Sequence, residues 1–76
     1  MFRKSLIRKC LRERFFVTPR YGDSFSGVLM AHDRAHAVFT DVKVFPEGSN
    51  PEPVAGDVYI RHANIAYMQR LPNADD

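Results

Sequence analysis

The sequence predicts a mainly β fold: an N-terminal α-helix followed by a strongly bent, five-stranded antiparallel small barrel. Three observations point there. The first fourteen residues carry a helical apolar stripe, while everything from Phe15 onward is short β-rich runs divided by turn formers. Gly27 and an imperfect alternation around Thr40 place sharp bends in the two longest runs. A chain of 76 residues holds one small domain with a modest core, so short strands must wrap around it.

The predicted helix covers residues 2–14. Phe2, Leu6, Ile7, Cys10 and Leu11 fall on one face, and basic residues fill the rest of the circumference. "FFVTPR" follows as a strand whose Pro19 suits an edge or a strand end. "YGD" is a turn. "SFSGVLMAH" alternates around Phe25, Gly27, Leu29 and Ala31. "AHAVFTDVKVF" sets Ala37, Phe39 and Asp41 against Val38, Val42 and Val44, with a bulge expected near Thr40. "PEGSNPEPVAG", with three prolines and two glycines, is expected to be a loop. "DVYIR" and "NIAYMQRL" complete a barrel over residues 15–71, leaving 72–76 as a flexible polar tail.

Charge is unevenly distributed. Residues 1–14 hold six basic side chains and one acidic, a net +5, whereas residues 15–76 hold five basic and eight acidic, a net −3. Attraction for polyanions is therefore expected to concentrate near the N-terminus. One cysteine, Cys10, rules out a disulfide within the chain and suits a reducing compartment. The apolar runs are too short to span a membrane or to form a signal peptide. A small barrel with open edges is expected to close them by assembling with copies of itself.

No enzymatic signature stands out. Cys10 sits on the helical stripe with no nearby partner histidine, and the glycines lack the spacing of a phosphate loop. His32, Asp33, His36 and His62 are metal-ligating residue types, yet nothing in their spacing requires convergence, so no metal or other cofactor is expected.

Two half-motifs are more specific. "FSGVLMAHD" fits a hydrophobic-x-Gly-x-Leu-x-x-x-Asp pattern through Phe25, Gly27, Leu29 and Asp33. "YIRHANIAYM" fits most of Ile-Arg-Gly-x-Asn-Ile-x-Tyr-Ile, with His62 in place of the glycine. Occurring in this order, they make nearly the whole chain, roughly residues 5–71, resemble the Sm-like family of Sm, LSm and bacterial Hfq proteins. Arg61-His62-Ala63 is similar to the Lys-His-Ala of Hfq, and Arg12-Glu13-Arg14 looks like the basic rim of the Hfq helix.

The resemblance implies a homo-oligomeric ring of six or seven subunits, paired through the last two strands, that binds single-stranded RNA as a chaperone or regulator in a prokaryotic cytoplasm. It implies RNA contacts from the pore turns by His36, Arg61 and His62, and from the helix rim by Lys9, Arg12 and Arg14. Gly27 and Asp33 would hold the bend and the turn. Tyr59 and Tyr67 would pack in the barrel or between subunits. Where the family places its stacking aromatics, this chain has Ala35 and Ile60. The alternative is an architectural or protein-interaction ring, for example in a bacteriophage, that has lost the RNA site.

Overall fold

The computed structural model describes residues 11–72. Six strands form one antiparallel sheet: β1 (Arg14–Pro19), β2 (Ser24–His32), β3 (His36–Phe45), β4 (Glu52–Val54), β5 (Val58–Arg61) and β6 (Ile65–Arg70). A 3-10 turn, His62–Asn64, links β5 to β6. The order across the sheet is β4-β3-β2-β1-β6, and β5 also pairs with β3. β5 and β6 thus sit at opposite ends of the sheet yet are joined by three residues. Only a sheet rolled on itself can satisfy both conditions.

Alternation builds the core. Phe15 and Val17 from β1, Phe25 and Leu29 from β2, Ala37, Phe39 and Val42 from β3 and Ile60 from β5 are all buried. Phe25 meets Phe39 edge-on, with ring centroids 5.3 Å apart. Val17, Leu29 and Phe39 are the largest fully buried side chains. Each contributes about 1.5–3 kcal/mol by leaving water.

Two register shifts create the bend. Between the pairs Ser26↔Lys43 and Val28↔Thr40, two residues of β3 oppose Gly27 alone. Asp41 adopts φ +52 there, so the extra residue is absorbed by a left-handed bulge. Val42, rather than Asp41, then joins Ala37 and Phe39 in the core. A second shift, between Leu29↔Phe39 and Ala31↔Val38, leaves Met30 unmatched and turns Ala31 outward.

Two expectations need correction. The sheet has six strands rather than five, because Glu52–Val54, inside the expected loop, pairs with Val42–Val44 of β3. Pro53 is tolerated because β4 ends the sheet and has an open side for a residue without an N–H. β4 and β5 lie in succession along β3, parted by Ala55–Asp57, where Gly56 has φ +84.

The helix is the second correction. Among the described residues there is no α-helix: Leu11 and Arg12 form a turn, and Arg14 already belongs to β1. Arg12 has φ +68, outside helical space. Its N–H donates to the Leu29 carbonyl at 2.6 Å, and the Leu29 N–H donates to the Glu13 carbonyl at 3.0 Å. Pairing with β2 therefore captures residues that local periodicity assigned to a helix. The part of that expectation on residues 2–10 lies outside the described residues.

Candidate functional site

The roll of the sheet brings three turns to one place. The β2–β3 turn closes on its own aspartate: Asp33 Oδ1 accepts from the N–H of Ala35 at 2.8 Å and of His36 at 2.7 Å. Asp33 N–H in turn donates to the His36 carbonyl at 2.9 Å. The two bonds to Oδ1, from His36 first and then Ala35, hold the Asp33 carboxyl below its ordinary value against the opposing effect of desolvation, with lesser help from the neighbouring His36 and His62 rings.

The His62–Asn64 link is tied to that turn from the other side. His62 N–H donates to the Ala35 carbonyl at 2.8 Å, and its Nε2 lies 2.8 Å from the Asp33 carbonyl. A carbonyl only accepts, so Nε2 carries the proton in this arrangement. His36 and Arg61 face each other as partners in the β3–β5 ladder. Since the neighbouring pair, Ala37 and Ile60, points into the core, His36 and Arg61 share the outer face.

The third turn, between β1 and β2, grips the far end of the same link. Asn64 Oδ1 accepts from Tyr21 N–H at 3.0 Å, while its Nδ2 donates to the Tyr21 carbonyl at 3.2 Å. Arg20 N–H donates to the Asn64 carbonyl at 2.6 Å, and Arg20 Nε donates to that of Ala63 at 3.2 Å. The short gap between the last two strands therefore needs no glycine turn. Side chains and backbone from two other turns hold its shape.

The structure brings His36, Arg61 and His62 together, beside Asp33. The expected rim residues belong to other elements. Arg12 lies in a turn at the other end of β1, Arg14 is on a strand and pairs with Asp41, and Lys9 is outside the described residues. Gly27 sits at the bend. Sequence reasoning missed Arg34, exposed at the tip of the Asp33 turn, and Arg20, at the Ala63 carbonyl. Each is the one basic residue of its turn, which is the signal that singles it out. Among the described residues, Arg34 and Arg61 have no carboxylate within ion-pair distance, whereas Arg14 and Arg70 are paired with Asp41 and Glu13. Ala35 is exposed and Ile60 is buried in the core. Among the described residues, no three His, Cys, Asp or Glu side chains are grouped to hold a metal ion.

This rolled sheet, bent at Gly27 and closed by a locked β5–β6 link, is that of a known class. A heptameric archaeal Sm protein superposes with a TM-score of 0.75 at 17% identity, over 90% of this chain and 98% of that one. The Pyrococcus abyssii Sm protein, solved in complex with a uridine heptamer, gives a TM-score of 0.75 at 21% identity, over 93% and 100%. The protein has an Sm-like fold. No protein-family model and no curated protein sequence matches the chain.

Proposed function

We propose that this protein forms a homo-oligomeric Sm-like ring and binds single-stranded RNA at the clustered turns. One observation carries the reading. Two turns far apart in sequence are hydrogen-bonded into a single platform, from which Arg34, His36 and Arg61 project with no carboxylate neutralising either arginine among the described residues. Guanidinium groups on such a platform suit phosphate oxygens, and the imidazoles suit base edges or ribose hydroxyls. Ring formation is supported by the edges of β5 and β6, which do not pair with each other within the chain. Antiparallel pairing of β5 in one subunit with β6 in the next satisfies both edges and multiplies weak contacts around the pore. The heptamer and the uridine complex among its fold neighbours support the same reading.

The second reading, an architectural ring without RNA, is favoured by Ala35 and Ile60. Neither offers an aromatic surface, and Ile60 is part of the core. One experiment separates the two. Native mass spectrometry fixes the oligomer, and binding of labelled oligouridine is measured across a salt series. The RNA reading expects a ring whose affinity falls steeply with salt and is abolished by Arg61→Ala with His62→Ala. An intact ring without binding at low salt leaves the architectural reading, and a monomer refutes the ring.

A further inference from the structure

Tyr21 is 82% exposed, more than Met30, Tyr59 or Tyr67, the other exposed large apolar side chains of the described residues. A tyrosine so open to water adds little to the core, and single exposed apolar side chains are ordinary on a protein surface; what sets this one apart is how it is mounted. Its backbone is firmly held. The two-way amide pairing with Asn64 and the two bonds from Arg20 fix Arg20-Tyr21 to the His62–Asn64 link by four hydrogen bonds. That link also carries the His62 contacts to the Asp33 turn.

From this mounting we infer that Tyr21 and Arg20 form a nucleotide subsite, with the tyrosine ring stacking on a base and the guanidinium holding the adjoining phosphate. The inference rests on the RNA reading and extends it. It supplies, from a different turn, the aromatic surface that Ala35 and Ile60 do not. The chemistry fits each side chain. Tyrosine has few rotatable bonds to order and a face that accepts any base. Arg20 uses one N–H on Ala63, which leaves four of its five donors for phosphate oxygens. Holding the backbone beforehand lowers the ordering cost on binding. Sequence-tolerant stacking would make the subsite one for unpaired RNA in general rather than for a particular base.

The test uses the full-length protein and labelled oligouridine at low salt. Tyr21→Ala is expected to weaken binding about 5- to 150-fold per stacked base without changing the salt slope, and Tyr21→Phe to bind as wild type. Arg20→Ala should flatten the slope by about 0.7 for each phosphate that its guanidinium neutralises. The chain has no tryptophan, so Tyr21→Trp places a single reporter in the subsite. Its emission should be quenched on saturation with oligouridine, and less so with an abasic oligomer of equal length. Binding that survives Tyr21→Ala but is abolished by Arg61→Ala with His62→Ala overturns the subsite and leaves the proposed function standing. A tryptophan signal indifferent to oligouridine, while the labelled strand binds, also overturns it. Absence of binding by wild type removes both.

Discussion

Gly27→Ala tests whether the bend depends on a missing side chain. A Cβ at this position would meet Val42 Cγ2 at 3.0 Å, Phe39 Cβ at 3.2 Å and the Thr40 carbonyl oxygen at 3.3 Å. None of the three can easily withdraw. Val42 is a buried, β-branched residue with a stiff χ1, and the other two atoms move only with the β3 backbone. Relief requires β2 and β3 to part by a few tenths of an ångström at the bulge. Overpacking of this kind costs about 1–3 kcal/mol. Against it, alanine narrows the unfolded ensemble, worth about 0.4–1 kcal/mol. At the midpoints, a cost of about 2 kcal/mol less a gain of about 0.7 kcal/mol leaves a net loss of about 1.3 kcal/mol. At about 4–8 °C per kcal/mol, the melting temperature should fall by about 5–10 °C. Circular dichroism melts at several protein concentrations measure this and expose any contribution from oligomerisation. Combining the change with Val42→Ala should destabilise by less than the sum of the two, since the closest of the three clashes disappears. A Gly27→Ala protein melting at or above wild type would refute the close-approach account.

Asp33 provides a pH-dependent test. Its carboxyl is held low in the folded state, so its stabilisation is present above the unfolded value of about 4 and vanishes as pH falls through the lower folded value. Asp33→Asn keeps an oxygen for the two N–H groups but has no charge. Wild type should therefore melt above this variant at pH 7, and the gap should close on acidification. A gap that stays constant between about pH 7 and pH 3 contradicts the role of the charge. Tyr59 and Tyr67 lie exposed on β5 and β6, the two strands that do not pair with each other. Changing both to lysine should shift the protein toward monomer in light scattering while retaining its β-sheet spectrum. An unchanged mass would count against assembly through these strands.

Local patterns carried much of the sheet. Apolar alternation groups Phe25 with Leu29 and Ala37 with Phe39 without reference to any partner strand, and all four lie in the core. The Gly27 signal and the broken alternation after Phe39 mark the bulge within a residue of Asp41. The pattern failed where pairing overrode local preference. Arg12 and Glu13 were drawn into contact with Leu29, and the proline-flanked Glu52–Val54 found an open edge of β3. Ile60 read as a substitution at a stacking position, but its neighbours make it a core residue.

By itself the sequence determined five of the six strands, the main bends and the two half-motifs of an Sm-like chain. These are properties of neighbours along the chain, which periodicity and turn chemistry report directly. Only the tertiary structure decided what holds the Arg61–Asn64 stretch. His62 meets Asp33 across 29 residues, and Asn64 meets Tyr21 across 43. No local pattern contains a partner at that distance. Rolling a bent sheet until its two ends share a three-residue link is what brings those groups within hydrogen-bond reach.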